Sequence, residues 1–340
     1  MTYTIVVPPR LTLQKAIEFC DSFHDVPVSE EIIFDFNFLK YIEPFGMAYV
    51  SCQIKNFVND RTRKNKTVFK AKNHEKHSYM AHMGFFKAFG LNFGNSPGQA
   101  FGSSTYIPLT IIDIGSIKSQ ALSVNKSVGD IVEGEAESLA KMLIRSESGE
   151  LLDTLTYSLR EIMRNVVEHS NSQVLEFCAQ FWPTKNKVEI VVLDLGVGIK
   201  ESLSNNPYLT LNCDRDAIQL SLLPGISGKM YKGVKKNHYD VWQNSGFGLY
   251  MTSRIARAGG SFFIGSGEAG ILLELGTKSD ITLKFKGTAL RMVINTSRLI
   301  DLKTQLDKFR KEGYEVSKEL NNLGQIESST ASMMLSRDFS

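Results

Sequence analysis

Apolar residues recur at helical spacing along residues 151–169, and two polar side chains interrupt this pattern on one face. Glu161 and Asn165 are four positions apart within the sequence LREIMRNVVEHS, and positions four apart lie on the same face of a helix. A carboxylate and an amide therefore project together from a helix that must otherwise be buried. The pair suits a hydrated divalent cation, with an oxygen ligand from Asn165 and a base or water-orienting group in Glu161. Taken alone, it also fits the solvated face of an amphipathic helix.

Before residue 118, short apolar runs alternate with helical patterns. The predicted strands are residues 4–7, 32–36, 65–70 and 106–114, and the predicted helices are residues 12–23, 46–55 and 80–89. Strands and helices that alternate at this length favour a small α/β domain.

From residue 130 the pattern predicts a second domain with longer elements. Its predicted helices are residues 130–145, 151–169, 216–223 and 248–258, and its predicted strands are residues 174–182, 187–195, 261–265, 270–275 and 288–295. Residues 200–244 are mostly irregular, and a loop of this length in a compact domain is usually functional. An apolar stripe over residues 299–309 predicts a C-terminal helix, which either covers the domain or pairs with a second copy. Residues 321–340 are polar and serine-rich, so we expect a disordered or partner-binding tail.

Two glycine-containing turns follow the predicted helix of the opening pattern. Asp194 ends an apolar strand and begins the sequence DLGVG, in which Gly196 and Gly198 allow a tight turn where a ligand approaches the backbone closely. Residues 245–249 (SGFGL) open a helix, and glycines at a helix start expose N–H groups that favour an anion. The loop between the two turns carries cations suited to phosphates, among them Lys229.

The overall composition narrows the setting of the protein. A chain of 340 residues is long enough for two domains, and a net charge of +3 gives no indication of nucleic acid or an anionic membrane as partner. No apolar run approaches the length of a membrane-spanning helix, and the N-terminus lacks the pattern of a signal peptide. The four cysteines have neither metal-ligand nor disulfide spacing, which is typical of reduced thiols. We therefore expect a cytoplasmic protein.

The order of the motifs resembles the GHKL ATPase family, named for gyrase, the heat-shock chaperone, histidine kinases and mismatch-repair proteins. Over residues 130–296 the chain has ExxxN on a helix, DxGxG after a strand, a long lid, GxG at a helix start and a strand beginning Gly287-Thr288. The resemblance implies a Bergerat-type α/β sandwich with a mixed sheet covered on one face by helices. It also implies that ATP and Mg²⁺ are held between the helices and the lid.

The resemblance further implies a role for each motif residue. Glu161 would be the catalytic base, and Asn165 would hold the Mg²⁺ ion that bridges the phosphates. Asp194 would accept a hydrogen bond from the adenine amino group, and Thr288 would support it through a water. The implied nucleotide-binding set is Asn165, Asp194, Gly196, Gly198, Ile199, Lys229, Ser245, Gly246, Phe247, Gly248, Leu249 and Thr288.

The first domain resembles a STAS domain, the fold of anti-sigma-factor antagonists. The resemblance rests on the sequence IIFDFNFLKYIEPFGMAYV, a strand, an acid and a loop that leads into a helix. Antagonists of that family carry a regulatory serine or threonine in this loop, whereas residues 43–46 (EPFG) have no hydroxyl. A docking role is therefore expected here, without a phosphorylation switch at this position.

Within the GHKL class the chain is most similar to the serine kinases that phosphorylate anti-sigma antagonists. No histidine lies between His82 and His169 to act as the phosphoacceptor of a histidine kinase, and the residues after 296 are too few for a transducer domain. Two hypotheses stay open. The first is an ATPase or serine/threonine-type kinase, and the second is an ATP-gated interaction module in a signalling or defence complex, whose partner is another protein or a second copy. The predicted organisation is residues 1–118 STAS-like, 119–129 linker, 130–298 GHKL, 299–320 helix and 321–340 tail.

Overall fold

The computed structural model describes residues 1–100, 105–234, 246–299, 302–322 and 325–327. Helices and strands are mixed, with parallel pairs in one sheet and antiparallel pairs in another, which confirms the predicted α/β class. The chain divides into two compact units. One comprises Met1–Ile111 with Glu176–Gln180, and the other comprises Ile112–Leu175 with the described part of Phe181–Ser340.

The first unit is built on parallel strand pairs. Its strands are β1 (Thr2–Val6), β2 (Arg10–Leu11), β3 (Glu31–Asp35), β4 (Tyr41–Ile42) and β5 (Val68–Lys72), and β6 (Tyr106–Asp113) leads into the second unit. Its helices are α1 (Leu13–Asp21), α2 (Pro44–Asn65), α3 (Ser78–His82) and α4 (Phe85–Ala88). Three strands form a sheet in the order β1-β3-β5, and β2 pairs with β4. On β3, Ile32 and Phe34 point into the core.

Helix α2 begins earlier than the pattern predicted. Pro44 occupies its first turn, where the fixed φ of proline suits a helix start. The rings of Phe45 and Tyr49 stack with 5.0 Å between centroids, and both are buried. Gly46 lies so close to β2 that a Cβ atom would collide with the carbonyl oxygen of Leu11. The predicted loop over residues 43–46 is thus mostly the first helical turn, because close packing on β2 holds it in place.

The second unit carries the longer helices and an antiparallel sheet core. Its helices are α5 (Ile114–Ser123), α6 (Val128–Ile144), α7 (Glu150–His169), α8 (Gly198–Leu203), α9 (Asp214–Ser221), α10 (Gly248–Arg257) and α11 (Leu302–Asn321). Its strands are β8 (Lys187–Asp194), β9 (Ser261–Glu274) and β10 (Thr277–Asn295), and β7 (Val174–Trp182) is divided, with Glu176–Gln180 in the first unit and its two ends in the second. The five-stranded sheet has the order β6-β7-β8-β10-β9.

The register of β8 on β10 sets the geometry of this sheet. The two strands are antiparallel, with Asp194 opposite Thr288 and Val192 opposite Leu290. Side chains alternate between the two faces of a strand, so these four residues share one face. Helices α7 and α10 pack on each other, and both contact the sheet.

The last two strands are one long hairpin, whereas the sequence predicted short separate strands. Gly265, Gly267 and Gly270 interrupt the apolar alternation of β9 and imitate a loop. Two of these glycines have a structural reason within the strand. A Cβ atom on Gly270 would lie 2.8 Å from the ring of Phe263, and Gly267 has a φ of +64°, which favours glycine. The pairing shifts register twice between Thr282 and Thr288, which is typical of bulges.

Two further stretches contain more helix than the sequence predicted. Part of the predicted linker over residues 119–129 belongs to α5, whose Asp113 cap accepts a hydrogen bond from the Ser116 N–H. The mostly irregular stretch over residues 200–244 contains the end of α8 and all of α9, which the sequence predicted at residues 216–223, while residues 235–244 lie outside the described part of the chain. Helices α5 and α8 were not predicted because they are short, and their apolar faces are recognisable only once packed.

The chain after β10 folds back onto its own unit. Helix α11 stands where the sequence predicted a C-terminal helix, and Arg254 of α10 forms an ion pair with Glu312 of α11. Within the described ranges every helix is too short or too polar to cross a membrane.

A buried ion pair joins β8 to β10 on the sheet face opposite Asp194. The carboxylate of Glu189 is fully buried and accepts hydrogen bonds from Arg291 Nε at 3.0 Å and Arg291 Nη2 at 2.9 Å. Lys187 Nζ lies 3.0 Å from the same carboxylate. Burial acts to raise the pKa of Glu189, but Arg291 and Lys187 outweigh it, so the pKa is lowered.

We expect Glu189→Gln to lower the free energy of unfolding by about 3–5 kcal/mol, since it leaves the buried Arg291 guanidinium without a countercharge. Urea unfolding followed by tryptophan fluorescence measures the change. The control is Asp280→Asn in the exposed Arg215–Asp280 pair (2.6 Å), which should cost at most about 1 kcal/mol. Equal losses for the two variants would contradict the assignment of Glu189 as a buried structural charge.

Candidate functional site

A concave pocket of the second unit lies between α7, the ends of β8 and β10, α8 and the start of α10. Counted out to its open mouth it encloses about 830 Å³, a size typical of small-molecule pockets. Its apolar walls include Ile162, Val192, Ile264 and Leu290. The predicted site residues that line it are Asn165, Asp194, Gly198, Ile199, Gly246, Gly248, Leu249 and Thr288.

Among the described residues that line this pocket, Asp194 is the only acidic one. It is 3% exposed, and its Oδ1 accepts a hydrogen bond from the Gly196 N–H at 2.8 Å. Burial raises the pKa of Asp194 to about 6, although the Gly196 N–H and the Thr288 hydroxyl both donate to the carboxylate and act to lower it. At neutral pH the pocket therefore presents a buried, ionised hydrogen-bond acceptor.

The turn after β8 is held by close backbone contacts. Gly196 packs on the end of α7, where a Cβ atom would collide with the carbonyl oxygen of Ser170, and the next N–H, of Val197, donates to that oxygen at 2.7 Å. Gly198 has a φ of +80°, a conformation that glycine adopts without strain. Gly196 itself does not line the pocket; it fixes the turn that holds Asp194 in place.

Ser266 is a residue of this site that sequence reasoning missed. Its hydroxyl donates to the Gly287 carbonyl oxygen at 2.7 Å and accepts from the Ile199 N–H at 3.0 Å. It is 2% exposed and ties the start of α8 to the β9–β10 hairpin. A lone serine within a strand carries no sequence signal for such a role.

The last turns of α7 form a second wall of the pocket. Asn165 and His169, one turn apart, both line it. Burial, together with the charges of Lys229 and Arg164, lowers the pKa of His169 to about 4. His169 is therefore neutral at physiological pH. Sequence reasoning did not assign it a role.

Glu161 does not line the pocket. Its Oε1 accepts hydrogen bonds from Arg160 Nη2 at 2.9 Å and Arg160 Nε at 3.2 Å. Its Oε2 points to the start of α10, where a Cβ atom on Gly248 would lie 2.6 Å away. Glu161 therefore lies beside the residues at the start of α10 that line the pocket, and it is paired with Arg160. The start of α10 stabilises this carboxylate, because a helix N-terminus favours negative charge.

The described part of the predicted lid packs against the pocket wall. Ile226, Ser227 and Gly228 line the pocket, and the Ser227 hydroxyl accepts from the N–H groups of Lys229 and Met230 at 3.1 and 3.2 Å. Lys229 is not a lining residue, and its ammonium donates to the carbonyl oxygen of Glu168 at the end of α7.

The far end of the lid meets the start of α10. Gly246, with a φ of +72°, and Gly248 both line the pocket. The ring of Phe247 faces the opposite way, towards Tyr250, with 6.3 Å between centroids. Ser245 lies outside the described residues.

The arrangement has a definite chemical character. Apolar side chains can cover a flat ring, and the buried acceptor Asp194 can bind an amino group at its edge. The N-terminal residues of α10 lie at the pocket wall, and a helix N-terminus favours an anion. Among the described residues no group of three histidine, cysteine, aspartate or glutamate side chains could hold a metal ion. A cation at Asn165 would take its other ligands from a bound molecule and water, which is typical of Mg²⁺.

Comparison with models of known protein families gave no match, and comparison with curated proteins gave none.

The raised pKa of Asp194 predicts a pH-dependent cost in stability. A carboxyl with a folded pKa of about 6 and an unfolded pKa of about 3.9 destabilises the fold progressively as pH rises from about 4 to 6, and the cost then stays constant. We expect Asp194→Asn to be more stable than wild type by about 3 kcal/mol above pH 6, and this gain to vanish near pH 4.

Urea unfolding of both proteins between pH 4 and 8 measures this difference. His169 titrates in the same window with the opposite sign, but it is present in both proteins and cancels in the comparison. A stability difference that does not change with pH would show that burial does not govern Asp194.

Proposed function

We propose that the second unit is a nucleotide-binding domain of the GHKL class, which binds ATP together with Mg²⁺. The observation that carries the proposal is the buried Asp194 carboxylate at one end of an apolar pocket whose other wall is the start of α10. The supporting residues are those of the sequence motifs, since Asn165, Gly198, Gly246, Gly248 and Thr288 line the same pocket.

The chemistry of the pocket suits adenine. An ionised acceptor at Asp194 binds the amino group of adenine and repels the carbonyl oxygen that guanine has at the same position. Val192, Ile264 and Leu290 line the pocket beside it and would cover the faces of the base. The Thr288 hydroxyl already donates to the carboxylate, which orients it for the ligand.

The phosphates would lie at the start of α10, where Gly246, Gly248 and Leu249 line the pocket. Asn165, on the facing wall, would supply one oxygen to Mg²⁺, which brings countercharge to the phosphates. Lys229 donates to the carbonyl oxygen of Glu168 at the end of α7, within the segment that the resemblance assigns to the lid.

In the enzymatic form of the proposal, Glu161 is the general base. Its carboxylate lies against Gly248, next to the proposed phosphate end, so a water or a protein hydroxyl attacking the terminal phosphate would approach on that side. Proton transfer to a positioned carboxylate contributes about 10²–10⁴-fold to a rate.

A second candidate function follows from the contacts of the same residue. Glu161 Oε1 is occupied by two N–H groups of Arg160, and Arg160 Nη1 also lies 3.7 Å from Glu133. A base held in this way must leave Arg160 before it acts. The chain could then be an ATP-gated interaction module, in which nucleotide changes what the first unit or a partner subunit presents.

The first unit supports a docking role as a STAS-like domain in this scheme. Its α2 starts at Pro44 in a segment without a hydroxyl, which leaves that turn without a phosphoacceptor. Cys20, Cys52 and Cys178 are buried thiols that form no disulfide, which is consistent with the reducing conditions of a cytoplasmic protein.

We expect wild type to bind ATP with Mg²⁺ and to prefer it to GTP. Asp194→Asn should weaken ATP binding about 10- to 100-fold, since an acceptor lost from a buried site costs about 1–3 kcal/mol, and it should reduce the preference for ATP. Isothermal titration calorimetry measures both. Asp280→Asn, in an exposed pair, is the control and should bind as wild type does. Wild type that binds neither nucleotide would exclude the proposal.

Glu161→Gln separates the two candidate functions. Because Glu161 does not line the pocket, the variant should retain ATP affinity, whereas under the enzymatic proposal its turnover falls by about 100-fold or more. Incubation with radiolabelled ATP and Mg²⁺ measures turnover, with free phosphate indicating attack by water and labelled protein indicating a hydroxyl acceptor. Glu133→Gln, which alters the other carboxylate near Arg160, is the matched control. Unchanged turnover in Glu161→Gln would favour the gating function.

A further inference from the structure

Helix α11 contains none of the residues of the proposed nucleotide site, yet it lies directly behind the start of α10. Gly313 is the point of closest approach. A Cβ atom at this position would be 2.7 Å from Tyr250 Cε1, 3.0 Å from Phe247 Cε1 and 3.3 Å from Pro224 Cβ. Distances of this kind leave no room for a side chain, so the approach of α11 requires glycine.

The same contact region holds two points of the chain at Gly225 and Gly246, on either side of the part of the predicted lid that lies outside the described residues. The Gly225 N–H donates to the carbonyl oxygen of Gly246 at 3.1 Å. This hydrogen bond holds the segment at Gly225 next to the segment at Gly246 that leads into α10. A Cβ atom on Gly246 would lie 2.7 Å from the carbonyl carbon of Gly225, and one on Gly225 would collide with the hydroxyl of Ser317 on α11. Helix α11 therefore lies over the junction where residues 225 and 246 meet.

A polar contact keeps α11 in register on α10. Arg254 forms an ion pair with Glu312, the neighbour of Gly313. The guanidinium of Arg254 also lies 4.8 Å from the ring centre of Phe309 and 5.8 Å from that of Tyr250. Cation–π contacts of this length are favourable, and together with the ion pair they specify which turn of α11 faces the start of α10.

The chain beyond α11 contacts the other side of the same segment. The Ile326 N–H donates to the Tyr208 carbonyl oxygen at 2.8 Å, and the Thr210 N–H donates to the Ile326 carbonyl oxygen at 3.0 Å. Ile326 and Leu209 are both buried. The described C-terminal residues thus contact the junction of the lid and also the connection between α8 and α9.

We infer that α11 is a positioning helix of the nucleotide site, and that Gly313 and the Arg254–Glu312 pair are its positioning residues. The inference rests on the proposed function. Helix α11 fixes Phe247 and the neighbouring glycines at the start of α10, so displacing it misplaces the N–H groups that would bind phosphate. Because coupling between two sites is reciprocal, bound nucleotide in turn holds α11 more firmly against α10.

The test compares two glycine-to-alanine changes in helices of the second unit. Gly313→Ala introduces a methyl group where atoms already crowd the position, whereas Gly134→Ala, in α6, introduces one into open space. The affinity for a fluorescent ATP analogue is measured for both variants, together with hydrogen exchange at the amides of α10 and α11. Glu312→Gln, which removes the ion pair without adding atoms, is measured in parallel in case Gly313→Ala does not fold.

We expect Gly313→Ala to weaken nucleotide binding about tenfold, since the added methyl group overpacks the contact and displaces the start of α10, and Glu312→Gln to weaken it in the same direction. Gly134→Ala should bind as wild type does. Nucleotide with Mg²⁺ should slow hydrogen exchange in α11 of wild type and Gly134→Ala, and this protection should be reduced in Gly313→Ala, an effect that a purely structural role would not produce.

The outcomes separate this inference from the function on which it rests. If wild type binds nucleotide and the Gly313→Ala and Glu312→Gln variants bind equally well, the positioning role is overturned while the proposed function stands. If nucleotide leaves exchange in α11 of wild type unchanged, the coupling is overturned. If wild type binds no nucleotide, the proposed function fails and this inference fails with it.

Discussion

The antiparallel pairing of β8 with β10 is the constraint on which the pocket depends. It places Asp194 opposite Thr288, and Gly287 lies so close to β8 that a Cβ atom would collide with the carbonyl oxygen of Asp194. A slip of one residue would turn Asp194 to the other face of the sheet. The buried Glu189–Arg291 pair secures the same two strands on that other face, so a charge interaction on one face maintains the register that places Asp194 in the pocket on the opposite face.

The pocket concentrates polar groups that are costly to bury. Burial raises the pKa of Asp194 and lowers that of His169, so each side chain loses part of the solvation that it has in the unfolded chain. Hydrogen bonds from the Gly196 N–H and the Thr288 hydroxyl offset this loss for Asp194. Unfavourable burial that is maintained by surrounding contacts is characteristic of functional sites, and here it coincides with the glycine turns that allow close approach to the backbone.

The two candidate functions differ in the state of one side chain. Glu161 lies between Arg160 and the start of α10, beside the pocket lining rather than within it. Helix α11 packs on the opposite side of the same first turn through Gly313. The N-terminal turn of α10 is therefore the place where Glu161, the proposed phosphate site and the C-terminal helix meet. A change in the contacts of α10 would act on all three together.

The sequence by itself determined the α/β class, most helices and strands, and several of the residues that line the pocket, because periodicity and glycine turns are local properties of the chain. Asn165, Asp194, Gly198, Gly248 and Thr288 line one pocket, while the nucleotide-binding roles that their motifs imply stay predictions. Tertiary structure alone decided the pairing of Glu161 with Arg160, the position of Lys229 on Glu168, the role of Ser266 and the approach of Gly313 to α10. Most of these contacts join residues distant in the chain, and all depend on rotamers and packing, so no local pattern encodes them. The long β9–β10 hairpin was missed for the same reason, since its glycines indicate a loop until Phe263 is seen packed beside them.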